Sequence, residues 1–218
     1  MKRALIALAA MATAALAALT VAAPAGAATN TQVIQYRDLS ASAFWHNTRT
    51  TPTGTAVTDS SVQVTKSTQG WYQMYADQFI SYYGADGTFL GATQAWGWKI
   101  TGFPVSINPA LRSASTSATG LVGDMVTYDA NWTEISTDYN YPFGDASATW
   151  TGQGQTTSNG YRSRYHEPGY NRIETIRGTS RPATATGTVA GVTFSADDLV
   201  SGQLSNVKNG SLTVTAGR

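Results

Sequence analysis

The chain contains no cysteine. This removes disulfide scaffolds, thiolate nucleophiles, thiolate zinc sites and Fe–S clusters together, and with them a lipid anchor carried on cysteine. Charge is also scarce, with only four lysines and three glutamates among 218 residues. Both are strong helix formers, so their scarcity argues against helix. The only histidines are His46 and His166. Neither stands in an HExxH frame: Asn47 follows His46, and His166-Glu167 is followed at once by Pro168, with Tyr170 where the second histidine would stand. No GxSxG elbow is present. Ser205 to Lys208 matches SxxK, but on an expected turn. No metal and no cofactor are expected. Asp86 and the pair Asp197-Asp198 could offer oxygens to calcium, yet none has EF-hand spacing.

Long apolar runs are missing as well, with one exception. Met1-Lys2-Arg3 gives a positive start, Ala4 to Ala23 is almost wholly apolar, and Pro24-Ala25-Gly26-Ala27 closes the run with small residues. That order reads as a helical secretory signal peptide over residues 1–27, with a mature domain over 28–218. The apolar run is close to the ~20 residues of a spanning helix; its alanine content and the small residues at 25 and 27 favour cleavage. The expected location is secreted and extracellular, with no membrane association after cleavage. Loss of Lys2 and Arg3 turns the formal charge of +1 into −1, twelve basic residues against thirteen acidic. A nucleic-acid binder carries a clustered basic excess, so no nucleic-acid partner is expected.

What is plentiful is threonine, serine, glycine, valine, tyrosine and tryptophan, the residues of strands and turns. The 191 residues left after the signal suit a single domain, which at this size buries about 70% of its unfolded surface without staples. Period-2 alternation recurs and sustained helical periodicity does not. From Trp71 to Tyr83 the even positions Tyr72, Met74, Ala76, Ile80 and Tyr82 form an apolar face broken by Gln78. The odd positions mix aromatic and polar groups. Asp86-Gly87 predicts a tight turn. Thr88 to Ile100 returns with Leu90, Ala92, Trp96, Trp98 and Ile100 on one face. Two further hairpins are predicted, one joining Ala146–Gly154 to Tyr161–His166 through Asn159-Gly160, the other joining Leu204–Val207 to Leu212–Val214 through Asn209-Gly210. Thr48 to Asp59 reads as a loop, and Ser195 to Val200 as a single helical turn capped by Ser195. The expected fold is all-β, an antiparallel β-sandwich of about ten strands, with a closed β-barrel as the alternative. A monomer is expected.

Three constellations can carry chemistry. Glu167 and Glu174 flank a strand junction, and paired carboxylates about 5–9.5 Å apart are the machinery of glycoside hydrolysis; a cross-sheet ion pair of Glu174 with Arg162 or Arg164 would equally explain it. Tyr161 to His166 places Arg162, Arg164 and His166 on one face of a strand, a row able to receive carboxylate or phosphate, or a solvated face that discourages edge pairing. Trp71, Tyr75 and Tyr83 share the odd face of their strand and could stack pyranose rings; core packing is the competing explanation.

Ala148-Thr149-Trp150-Thr151-Gly152-Gln153-Gly154, the Tyr/Arg strand after it, and Arg181-Pro182-Ala183-Thr184-Ala185-Thr186-Gly187-Thr188-Val189 together resemble a loose group of small secreted bacterial proteins, common in actinobacteria. That group pairs a WTGxG-type strand with a later AxAxGxV strand. The likeness spans roughly residues 30–215 and implies one β domain and nothing catalytic, since the group has no established activity. Many of its members carry cysteine in the first half; this chain has none. The leading expectation is a secreted, non-enzymatic binding or surface-associated domain with polysaccharide or cell wall as its partner. A small extracellular glycan hydrolase and a cell-envelope structural protein are the alternatives.

Overall fold

The computed structural model describes residues 30–68, 70–168 and 170–216; the expected signal peptide lies outside them. The chain runs β1 (Asn30–Thr51), β2 (Gly54–Ser67), β3 (Tyr72–Gly84), β4 (Phe89–Ile100), β5 (Val105–Ile107), β6 (Ser113–Tyr128), β7 (Glu134–Gly152), β8 (Thr157–Glu167), β9 (Tyr170–Val189), β10 (Val192–Phe194) and β11 (Leu199–Ala216). All pairings are antiparallel, as an all-β chain with short connections allows.

The eleven strands belong to one sheet rather than to two separately hydrogen-bonded ones. Eight of them close a circuit of ladders, β1–β2–β3–β4–β6–β7–β9–β11 and back to β1. A circuit leaves no unpaired edge around the core. One hydrophobic cluster fills it, drawn from Ala41, Ala43 and Trp45 of β1, Val62 and Val64 of β2, Met74 and Ala76 of β3, Trp150 of β7 and Leu204 of β11. Small residues dominate, so two fully buried tryptophans fit between the strands. Each has its indole N–H satisfied: Trp45 Nε1 donates to the Ala185 carbonyl at 3.2 Å, and Trp150 Nε1 to the Ser42 carbonyl at 2.9 Å.

Beyond the circuit the sheet opens. β2 pairs β1 only from Asp38 onward, with Thr68 N donating to the Arg37 carbonyl, so residues 30–36 have β11 on one side alone. Residues 170–180 of β9 continue past β7 and take β8 as their neighbour. The result is a four-stranded extension, β8–β9–β11–β1, with β8 exposed along its whole length.

Several sequence expectations change. Thr48–Asp59 is hairpin rather than loop: β1 and β2 run to a turn at residues 52–53, because the threonines that suggested a loop are equally good in strands. Ala146–Gly154 does not pair with Tyr161–His166; β7 pairs β6 and β9, and β8 pairs β9 through a turn after Glu167. The expected Asn209-Gly210 hairpin is an irregularity inside one continuous strand, β11, where the register slips between Val207 and Asn209. Ser195–Asp198 forms a turn closed by Asp198 Oδ2, which accepts from Ser195 N at 2.7 Å and Ser195 Oγ at 2.8 Å. The Asp86-Gly87 hairpin is as expected, with Gly87 at φ 81° and Asp86 Oδ1 accepting from Thr88 N.

Candidate functional site

The even positions of β3 face the core: Met74 and Ala76 are fully buried, and Gln78 is buried with its Nε2 donating to the Val189 carbonyl. Its odd positions therefore lie on the outer side. The registers extend that side across four strands. Gln63, Tyr75, Trp98 and Val122 form one row; Ser61, Asp77, Trp96 and Asp124 the next; Asp59, Phe79, Gln94 and Val126 the third. β4 explains the arrangement. Its core side carries Thr93, Ala95 and Gly97, and a Cβ at Gly97 would stand 2.7 Å from Phe143 Cβ. Phe143 and Leu121 fill that space, so the two tryptophans of β4 point outward.

Trp98 is 44% exposed and Trp132, in the β6–β7 turn, 55%. Trp132 sits at φ 63°, a backbone state that costs a bulky residue roughly 1–2 kcal/mol. Asp129 holds the turn, its Oδ1 accepting from Asn131 N at 2.8 Å and Thr133 N at 2.9 Å, bonds that keep its carboxyl below the usual range. The indole is thereby laid on Phe89, centroids 4.5 Å apart and 14° from parallel, and on Phe79 at 6.0 Å and 3°. Offset stacks of this kind add about 0.5–1.5 kcal/mol each. Tyr128 and Tyr83 border the stack.

Carboxylates lie among these rings. Asp77 stands between Tyr75 and Phe79 on its own strand and opposite Trp96, and Ser61 Oγ donates to its Oδ1. Burial pushes Asp77 up to about 6, more than the Ser61 hydrogen bond lowers it, with Asp59 adding to the rise. Burial, then the charge on Asp77, pushes Tyr75 up to about 12. Asp59 Oδ1 lies 2.8 Å from His46 Nδ1. The face thus offers flat rings beside oxygen acceptors.

Of the three aromatics read from the sequence, none is in the core and all are partly exposed. They do not form one patch. Tyr75 joins Trp96 and Trp98. Tyr83, eight residues along β3 and so ~26 Å away, joins the Trp132 stack. Trp71 precedes β3, its carbonyl accepting from Ser67 N. Trp132, Trp96, Trp98 and Phe79 escaped the sequence reading as site residues. The signal available for Trp132 was the turn chemistry of Asp129 and Asn131 around it.

Glu174 is buried on β9. It accepts from Tyr36 Oη at 2.7 Å and Tyr161 Oη at 3.2 Å, and Arg172 Nη2 lies 3.6 Å away. Burial first, then the bond to Glu174, holds the Tyr36 hydroxyl far above its ordinary range. Arg172 takes the place expected of Arg162 or Arg164, because Ser163 is the residue opposite Glu174 and the two β8 arginines point to the other face. Glu167 is exposed and receives the Tyr165 hydroxyl. Its register partner Tyr170 stands four residues from Glu174 along β9, ~13 Å between Cα positions. The two glutamates are thus held separately, Glu174 by Tyr36 and Tyr161 and Glu167 by Tyr165, rather than gathered in a cleft. Arg162, Arg164 and His166 do share one face of β8, all exposed. Among the described residues no group of three histidine, aspartate or glutamate side chains is placed to hold a metal ion. Asp86 and Asp198 are engaged in their own turns.

Fold and site together define an antiparallel all-β domain with an aromatic outer face. Comparison with protein-family models, with characterised proteins and with solved structures finds no match to this chain.

Proposed function

We propose that this is a secreted, non-enzymatic glycan-binding domain whose ligand lies across the outer face of β2, β3, β4 and β6. The observation that carries the reading is the direction of the tryptophans. Only Trp45 and Trp150 are in the core, while Trp96, Trp98 and Trp132 stand on the side of the sheet that the core does not use. Exposed rings on a rigid sheet lose little side-chain entropy on binding. Asp59, Asp124 and Gln63 supply acceptors and donors for sugar hydroxyls between those rings. Cell-wall or other extracellular polysaccharide is the ligand class this chemistry suits.

The test is depletion of the chain lacking residues 1–27 from solution by a panel of insoluble polysaccharides and cell walls, with tryptophan fluorescence read alongside. Retention on at least one polymer, with a fluorescence change that Trp98→Ala reduces, supports the reading. No retention on any polymer removes it.

A further inference from the structure

The extension β8–β9–β11–β1 has a face that the glycan reading does not use. Arg162, Arg164 and His166 on β8 lie opposite Thr175, Ile173 and Asn171 of β9, and Gly160 lies opposite Arg177. Residues paired in register project to the same side, so Arg177 joins the row. This is the side that Ala183 and Ala185 turn to the core higher up β9, two residues apart in the same alternation. Where the circuit ends, Pro109 still reaches this side, its carbonyl accepting from Asn206 Nδ2 at 3.0 Å, and beyond it Arg162, Arg164 and Arg177 are exposed. There the side changes from alanine to arginine, threonine and amide, with Ile173 and the exposed Val33 among them.

Among the described residues this face contains no carboxylate. Across β11 it continues as Asn209, Ser211 and Thr213, opposite Arg177, Thr175 and Ile173. Glu174 and Glu167 project to the other side, with Tyr161 and Tyr165. Among the described residues the one arginine–carboxylate pair within 4 Å is Arg172–Glu174, also on that other side. Arg162, Arg164 and Arg177 are exposed. Three guanidinium groups are thus concentrated on one face of a chain whose charge is otherwise nearly balanced.

The arrangement selects among anions. Alternate residues of a strand are ~6.6 Å apart, so the cations form a line rather than converging on a point, and β8 is too exposed to enclose one ion. A linear repeat of anions fits; a single anion does not. Guanidinium groups match phosphate through paired N–H donors. Single-stranded nucleic acid also presents repeated phosphates, but its binders add aromatic platforms for the bases, and the tyrosines of β8 lie on the opposite face.

We propose that the Arg162–Arg164–Arg177 face binds a linear, base-free phosphate polymer running along β8. The site is independent of the aromatic face. The experiment uses the chain lacking residues 1–27 and long-chain inorganic polyphosphate as the probe, with dextran and a pyrimidine homopolymer of single-stranded DNA as comparisons, over a series of salt concentrations. The expected result is binding of polyphosphate at low salt, at least ~10-fold weaker for the DNA, with any binding of dextran insensitive to R162Q/R164Q/R177Q. The log–log salt slope should become shallower by roughly 0.7 for each arginine removed. R162Q/R164Q/R177Q should lose binding with an unchanged melting temperature, since all three side chains are exposed, while Y165F and W98A should bind as the parent does. Three outcomes overturn the proposal: no polyphosphate binding at low salt, binding that survives the triple substitution, or DNA bound as tightly as polyphosphate.

Discussion

The outer face of β3 and β4 and the arginine face of β8 and β9 are built on the same sheet, yet they solve opposite problems. The first covers the closed part of the sheet, where the core is already filled from within by Trp45, Trp150 and Leu204. Trp96 and Trp98 are therefore not needed to fill it, and carboxylates among the outer aromatics are free of arginine or lysine partners within 4 Å among the described residues. The second begins where the circuit of ladders ends. There the side that faces the core elsewhere carries exposed arginines and hydroxyls around Ile173 and Val33. The lesson is that a closed ladder releases large rings to the surface, and an open one must make its inner side soluble.

Substitutions can break this contrast, and the largest effect should come from the core itself. Trp45→Ala removes a buried ring stacked on Phe194 at 5.5 Å and should lower unfolding stability by about 3–5 kcal/mol. Trp98→Ala should change it by no more than ~0.5 kcal/mol. Urea titration of the two variants decides whether the outer face is a surface or a second core; equal losses would break the comparison.

Next in size is the carboxyl buried among the aromatics. Asp77 holds its proton to about pH 6 in the folded chain, while an unfolded aspartate releases it near 4. The folded state binds more protons in between, so this contribution is full below pH ~4 and is lost as pH rises to about 6. Asp77→Asn should abolish that slope and gain on the order of 2 kcal/mol at pH 7 relative to the parent, with little difference at pH 3. Melting curves from pH 3 to 7 check it, and an unchanged slope would place the carboxyl in open water.

A smaller and more local loss is expected in the extension. Glu174→Ala leaves Tyr36 and Tyr161 without their acceptor and should cost about 1–3 kcal/mol. Hydrogen exchange should quicken at β8 and the adjoining half of β9 while β3 and β4 keep their protection. Uniform loss across all strands would show that the extension and the closed part unfold as one unit.

Much of the fold was legible from local pattern. The alternation from Trp71 to Tyr83 separates Met74 and Ala76 from Tyr75 and Asp77, and Asp86-Gly87 marks the turn between β3 and β4. Which face is inside was not legible, because it depends on Phe143 and Leu121 arriving from β6 and β7 to occupy the space over Gly97. Two turn signals misled for a related reason. A Cβ at Gly160 would lie 3.0 Å from the Ile176 carbonyl oxygen, and one at Gly210 only 2.3 Å from the Tyr36 ring. These glycines admit a neighbouring strand or side chain rather than reverse the chain. The arginine row on β8 followed from alternation alone. Its extension by Arg177 needed the pairing of β8 with β9, which long-range register decides.

In the proposed function Trp98 binds polysaccharide without supporting the fold. The most direct test is retention of Trp98→Ala on whichever polymer retains the parent chain, measured together with the variant's urea midpoint. Retention should fall at least ~10-fold, the loss of a contact worth about 1.4 kcal/mol or more, with the midpoint unchanged. Retention equal to the parent's, or a loss matched by a fall in the midpoint, would contradict it.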